Sequence, residues 1–454
     1  MGSQGADTLI GGEGNDFIFG DNGNDVAWMG TGDDVFEWDP GDGNDTVEGE
    51  AGTDQLLFFG ANIGEVINIA ANGSRALFTR DIASVTMDLN SVEKIEYRAL
   101  GGADTINVGD LTGTGVAVVD IDLRGPNGGG DGAADAVTVN GSIISDVIGV
   151  SGSGGAVSVT GLPGSVNIGG SDSASDRLTI SGGQGDDVMN ASALAADSIQ
   201  LTMNGGLGID LMTGSQGGDV IIGGDGNDTA FMGAGDDTFV WNPGDDNDTV
   251  EGQDGYDTLL FNGANIGETI NISANGSRVT FARDIAGVTM DVNGTEEIVF
   301  KARGGADTIN VGDLSGTDVG FVNIDLSANG DGGAGDGAAD TIHIYATNDD
   351  DVVFVAGDNG VITVYGLTAQ VNITGFEAAN DKIVVHMLDG DDVFTAEALG
   401  LGIAVTADGG DGDDVMIGHA GTDFLYGGIG DDVLIGNGGF DVLDGGAGSN
   451  IILP

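Results

Sequence analysis

Apolar and polar positions follow two different beats along this chain. Over residues 409–453 a large apolar residue recurs at every ninth place: Met416, Leu425, Leu434, Leu443 and Ile452. Glycine leads each unit (Gly409, Gly418, Gly427, Gly436, Gly445) and returns three places later. Two places ahead of each apolar residue stands Asp414, Asp423, Asp432, Asp441 and, in the fifth unit, Asn450. A short strand with its middle side chain inward, closed by a glycine-rich turn, fits this beat. Two units make one coil, so equivalent turns stack 18 residues apart.

Residues 2–57 keep the same phase, with Asp7, Asp16, Asp25 and Asp34 in the sixth place. A two-residue slip at Trp38-Asp39-Pro40 comes before Asp45 and Asp54 and should widen one turn. A shift of 203 residues superposes this stretch on a third set, led by Asp210 and Asp219 and continuing through Asp228, Asp237, Asp248 and Asp257. Asp246 stands there in place of Gly43, a departure that bears on the Asp248 position. The expected plan is array 1–57, β-rich module 58–204, array 205–261, module 262–408 and array 409–454.

Inside the modules the beat changes to two. Stretches such as 66–69, 75–78, 85–89 and 95–97 read as strands set off by Asn-Gly and Gly. Past residue 104, short strands recur between glycine-rich turns, as in an irregular parallel solenoid. For 58–100 a β-sandwich is the alternative. One short helix is expected, at 191–197. The fold class is therefore all-β: parallel β-roll arrays alternating with two solenoid- or sandwich-like modules.

Composition narrows the function. The net charge is −63, from 74 acidic and 11 basic residues, which disfavours nucleic acid and anionic membrane as partners. Glycine makes up 88 of 454 residues, yet 40% are hydrophobic, a mixture that suits a turn-dense β protein better than disorder. Cysteine is absent, so any stapling has to come from elsewhere, such as metal. No apolar run is long enough for a transmembrane helix. The start, Met1-Gly2-Ser3-Gln4, lacks the basic and apolar regions of a signal peptide.

The chemistry of the sixth place points to a hard cation. Carboxylates beside turns rich in exposed carbonyls suit Ca²⁺, which takes six to eight oxygens in loose geometry. The unit G-G-x-G-x-D-x-U-x resembles the repeats of RTX proteins, the hemolysin-type calcium-binding family. That resemblance implies a β-roll in which ions lie between stacked turns. The pairs would be Asp7/Asp25, Asp16/Asp34, Asp210/Asp228, Asp219/Asp237, Asp414/Asp432 and Asp423/Asp441, with further ions at Asp45, Asp54, Asp248 and Asp257. It also implies bacterial type I secretion, folding on calcium outside the cell, and a structural or adhesin-type role toward polysaccharide or cell-surface components. The alternatives are an extracellular lyase or epimerase on a solenoid, and carrier repeats of a larger toxin or hydrolase.

Other candidates have plainer readings. Half-repeats at Asp187, Asp392, Asp131/Asp135 and Asp336/Asp340 are balanced between ion sites and solvated turns. Arg75, Arg80, Arg278 and Arg283 are expected to pair with nearby carboxylates. Trp38 and Trp241 are expected to fill the widened turns rather than to stack on sugars. Ninth-place apolar residues (Ile10, Trp28, Phe231, Tyr426) are expected to be covered within the chain. The three histidines, His343, His386 and His419, lie far apart in sequence, and His419 should face solvent. No H-E-x-x-H or G-x-S-x-G occurs, so neither the zinc protease nor the lipase that accompanies some RTX arrays is expected, and no catalytic residue is assigned.

Overall fold

A computed structural model describes residues 1–400 and 402–454, and they fall into two units, Met1–Asp237 and Thr238–Pro454. In the first unit the chain passes back and forth between two sheets, one strand to each. Thr8–Glu13, Val26–Thr31 and Thr46–Ala51 lie side by side and parallel in one sheet. Phe17–Phe19, Val35–Trp38 and Gln55–Phe59 do the same in the other. Thr8 pairs with Val26, 18 residues on, whereas Val26 pairs with Thr46, so the slip at Trp38-Asp39-Pro40 lengthens one coil by two residues.

The coil does not stop where the nonapeptides do. Thr105–Val108, Ala136–Asn140, Arg177–Gln184, Gln200–Leu207 and Asp219–Asp225 extend the first sheet in parallel. Lys94–Arg98, Val118–Asp122 and Ser165–Gly169 extend the second. The sandwich alternative for 58–100 is not what forms. Val66–Asn72, Arg75–Arg80 and Val85–Asn90 make an antiparallel detour inside the first sheet, entering beside Thr105–Val108 and leaving beside Thr46–Ala51. Val147–Ser153, Ala156–Thr160 and Ser165–Gly169 make the matching detour in the second sheet. Both detours turn on two-residue loops, Gly73-Ser74 and Gly154-Gly155; Gly73 is at φ 68° and the glycine pair at 59° and 77°. Such loops match the twist of the strands they join.

The second unit repeats this plan, with detours at Thr269–Asn275, Arg278–Arg283, Val288–Asn293 and at Val352–Asp358, Val361–Tyr365, Gln370–Thr374. The helix expected at 191–197 is absent: Val188–Leu194 is a strand, and among the described residues there is no α-helix. Met189 and Ala191 are inside on the beat of two, and Leu194 is inside beyond a register shift in the pairing with Val147–Ser153.

The core is the column of apolar residues two places after each turn acid. Phe36, Leu56, Ile67, Ile106, Met212 and Leu434 are all fully buried. At the widened turn Trp38 stacks on Phe58 at 4.0 Å, and its Nε1–H donates to the Gly43 carbonyl at 2.9 Å. Trp241 repeats this with Phe261 and the Asp246 carbonyl. Because the acceptor is backbone, the change from Gly43 to Asp246 leaves that bond intact. Both tryptophans are wholly buried packing residues.

The ninth place corrects an expectation. Ile10 is 78% exposed and Trp28 43%, and Phe231 and Tyr426 also stand out from the sheets. Within each unit the described module strands pair on as further coils of its own sheets.

Candidate metal centre

Each turn acid is placed by the strand it precedes. In most cases its own strand begins at the next residue and the apolar residue two places on is buried, as with Phe36 after Asp34 and Met416 after Asp414; at Asp219 and Asp423 the strand begins on the acid itself. This fixes the acid at the mouth of the coil, facing the turn before it. Its Oδ1 then accepts the main-chain N–H of the equivalent acid one coil earlier. The Asp7 N–H donates to Asp25 Oδ1 at 2.7 Å, Asp16 to Asp34 at 2.7 Å, and Asp25 to Asp45 at 2.8 Å. Asp210 donates to Asp228 at 2.8 Å and Asp219 to Asp237 at 2.7 Å. In the second unit Asp414 donates to Asp432 at 3.0 Å and Asp423 to Asp441 at 3.1 Å. Carboxylates spaced 18 residues apart, or 20 across the widened turn, are thus joined through one oxygen each, in a ladder.

The other oxygen carries the chemistry. Oδ2 of Asp16, Asp25, Asp34, Asp45, Asp54, Asp210, Asp414 and Asp432 is buried and has no hydrogen-bond partner. In Asp16, Asp25, Asp54, Asp210, Asp414 and Asp432 it faces the glycine that leads its own unit, whereas Met29 and Pro40 hold that place before Asp34 and Asp45. A Cβ added at Gly11, Gly20 or Gly49 would stand 2.9, 2.7 or 2.8 Å from Oδ2 of Asp16, Asp25 or Asp54. At Gly11 and Gly49 it would also strike the carbonyl oxygen of Met29 or Ser91 in the next coil. Gly205 and Gly409 face Asp210 and Asp414 in the same way, against the carbonyls of Gly223 and Gly427. The missing side chain leaves a space walled by one carboxylate oxygen and one main-chain oxygen, a donor set suited to Ca²⁺.

Burial makes Asp45, Asp54, Asp210 and Asp414 costly to ionise. Desolvation pushes Asp45 and Asp414 up to about 7, and Asp54 and Asp210 up to about 6, although in each case the hydrogen bond from the preceding turn acts the other way. Neighbouring carboxylates add to the rise. A cation beside Oδ2 would remove both penalties. Among the described residues no three acidic or histidine side chains converge on one point, so main-chain oxygens have to supply most of any ion's shell.

Not every rung has a free outer oxygen. Oδ2 of Asp7 accepts from the Ser3 N–H at 2.7 Å and from the Ser3 hydroxyl at 2.9 Å. Asp219 is held by the Ser215 N–H and hydroxyl. Asp423 is held by the His419 N–H at 2.8 Å, with the His419 imidazole on its Oδ1 at 2.6 Å. His419 is therefore buried against the ladder rather than facing solvent. Asn450 accepts from the Asp432 N–H as an aspartate would, but its Nδ2 donates to the carbonyl of Gly445, the leading glycine of its own unit.

The ladder also runs through both modules and joins them to the arrays that follow. Glu65 donates its N–H to Asp104 Oδ1 at 2.7 Å, Asp104 to Asp135 at 2.8 Å, and Asp135 to Asp176 at 3.1 Å. Asp146 donates to Asp187, and Asp187 to Asp210, both at 2.7 Å. The second unit repeats the series from Glu268 through Asp307, Asp340 and Asp381, and from Asp351 through Asp392 to Asp414. The half-repeat acids Asp135, Asp187, Asp340 and Asp392 are rungs; Asp131 and Asp336 instead cap the Gly102 and Gly305 N–H groups. The signal for the missed rungs was an acid two places before a buried apolar residue, as in Asp104-Thr105-Ile106 and Asp307-Thr308-Ile309.

At Glu65 the charge is met internally. The Arg80 guanidinium lies on Oε1, with Nε at 2.6 Å, and the Tyr97 hydroxyl donates to Oε2 at 2.9 Å. Arg80 also sits 5.5 Å from the centre of the Trp38 ring. Arg283, Glu268 and Trp241 repeat the group, with Phe300 in the place of Tyr97. Arg75 pairs with Glu48 and Asp88, and Arg278 with Glu251 and Asp291, so local pairing accounts for all four arginines. Two histidines far apart in sequence do meet on neighbouring strands, with His343 Nδ1 3.0 Å from His386 Nε2.

A family profile for the RTX calcium-binding nonapeptide repeat matches residues 1–36, 41–57, 179–193, 204–239, 244–260, 406–434 and 426–453. No curated protein matches the chain. Such repeats bind Ca²⁺ and are typical of proteins exported by type I secretion. Among the described residues no helix is long and apolar enough to cross a membrane. The repeat match, the parallel two-sheet coil and the glycine-walled carboxylates agree: this chain carries RTX calcium-binding nonapeptide repeats, folded as a β-roll.

Proposed function

We propose that this protein is a secreted or cell-surface structural or adhesin-type solenoid that folds when it meets calcium outside the cell. The observation that carries this reading is the column of buried carboxylate oxygens without donors, six of them in the arrays (Asp16, Asp25, Asp54, Asp210, Asp414 and Asp432) beside the space of a missing side chain. Ions held there by the sixth-place aspartates would offset part of the −63 net charge and lock successive turns together. Extracellular sites bind Ca²⁺ at about 10⁻⁴–10⁻³ M, so a calcium-poor cytosol would leave the arrays unfolded and exportable. The outward rows of apolar and polar side chains are the surface such a solenoid would present to polysaccharide or cell-surface partners. Far-ultraviolet circular dichroism in EGTA and then in millimolar calcium tests the reading. The β signal is expected to rise with calcium; an unchanged signal with no ion bound would sink it.

One observation keeps an enzymatic reading in view. On the first unit, Glu96, Asp120, Asp122 and Arg124 line a shallow cleft, and Lys94 and Arg98 pair with its acids. Acids interleaved with bases are what a lyase or epimerase acting on acidic polysaccharide would use. Each of these bases is held by a carboxylate, which favours a structural role. Formation of unsaturated products from acidic polysaccharides would reverse that preference.

A further inference from the structure

The ladder contains two kinds of rung, and the backbone four residues before the acid tells them apart. At Asp146, Asp176, Asp351 and Asp381 that earlier residue is Ser142, Asp172, Thr347 or Glu377. Its N–H donates to the outer oxygen of the acid, at 2.7, 2.7, 2.8 and 2.6 Å. Ser3, Ser215 and His419 do the same for Asp7, Asp219 and Asp423. None of these seven donors has a positive φ. The rungs whose outer oxygen is buried without a donor are the opposite case. The residue four places before Asp16, Asp34, Asp210, Asp414 and Asp432 is a glycine at φ between 100° and 117°. Before Asp25 and Asp54 it is Asp21 at 60° and Glu50 at 71°. A positive φ turns the peptide, and its N–H does not reach the carboxylate.

Two rungs of the second kind lie outside the residues that the repeat profile matches. Asp104 is 1% exposed and Asp392 2%, and the outer oxygen of each is buried with no donor. The residues four places earlier are Leu100 at φ 67° and Leu388 at φ 77°. Leucine resists this region, so its presence twice marks a turn that the surroundings impose. Both turns recur in the other copy: Arg303 at 67° precedes Asp307, and Gly183 at 102° precedes Asp187.

We propose that Asp104 and Asp392 are each the carboxylate of an additional divalent-cation site, for calcium or an ion of like hardness, in coils that are not nonapeptide repeats. The proposal rests on the calcium reading of the arrays and extends it by the rung geometry. Asp176 and Asp381, whose outer oxygens are already capped, hold no ion. The chain would therefore carry cation sites through both modules, not only in its arrays.

The test is the number of calcium ions bound by the full-length chain at saturation, by native mass spectrometry. Circular dichroism confirms the fold of each variant. Asn keeps the inner oxygen that accepts the ladder N–H, so Asp104→Asn and Asp392→Asn are each expected to lose one ion and the double variant two. Asp176→Asn and Asp381→Asn are expected to lose none. An unchanged count in Asp104→Asn and Asp392→Asn overturns the module sites, as does an equal loss in Asp176→Asn and Asp381→Asn. Asp432→Asn, in an array, separates the two readings. If it too loses no ion, the calcium reading of the arrays fails with the proposal; if it alone loses one, only the module sites fail.

Discussion

At the scale of single residues, this protein depends on one oxygen atom per turn. Asp432 has its inner oxygen on the Asp414 N–H and its outer oxygen buried without a donor. Asp444, only 12 residues on, is exposed and accepts the Gly446 N–H in a turn. Asp432→Ala should therefore lower stability in calcium by about 1–3 kcal/mol, the scale of a lost charge-assisted bond, and Asp444→Ala by less than about 0.5 kcal/mol. Calcium-loaded thermal unfolding of both variants checks this. Proton linkage gives a second expectation, for the metal-free chain. The folded state raises Asp45 and Asp414 to about 7 and Asp104 to about 8, above the ordinary aspartate value. Between about pH 4 and pH 8 the folded state then binds more protons than the unfolded one, so stability falls as pH rises through that window. Urea unfolding in EGTA should show more structure at pH 5 than at pH 8. Saturating calcium should flatten or reverse the trend, because the cation replaces the proton.

At the scale of elements, the widened turn is the clearest packing device. Trp38 is fully buried and stacked nearly parallel on Phe58, which in turn meets Phe78 at 4.3 Å. Trp38→Ala should cost about 3–5 kcal/mol, read from unfolding in calcium, while Trp28→Ala on the exposed face should cost far less. Legibility at this scale divides along the same line. The arrays could be read because Gly, Asp and an apolar residue keep one period, which fixes strand, turn and register together. The modules hid the same coil because the spacing between successive rungs is irregular: Asp104 to Asp135 and Asp135 to Asp176 span 31 and 41 residues. Their strands were visible from the alternation of apolar residues. That Val66–Asn72, Arg75–Arg80 and Val85–Asn90 rejoin a parallel sheet as a detour depends on pairings between distant residues, which no local pattern records. Nor does any local pattern place Leu100 or Leu388 at positive φ, since leucine gives no hint of that conformation.

At the scale of the molecule, the charge of the roll is met in more than one way. Rungs with a buried, donor-less outer oxygen leave it for a cation, rungs such as Asp7 and Asp423 cap it with a main-chain N–H, and Glu65 and Glu268 meet it with Arg80 and Arg283. The last of these has a consequence for the order of assembly. Each arginine belongs to an antiparallel detour whose strands are joined by short loops, so its pairings are close in sequence and quick to form. The detours thus carry their own counter-ion and need few distant contacts. They are suited to act as seeds that condense before calcium arrives, with the neighbouring coils laid down on them afterwards. Pulsed hydrogen exchange during a calcium jump should show protection first at 66–90 and 269–293, and later at 7–34 and 414–441. Arg80→Ala should abolish the early protection at 66–90 by leaving Glu65 buried and uncompensated, and Glu65→Gln in the same chain should restore it.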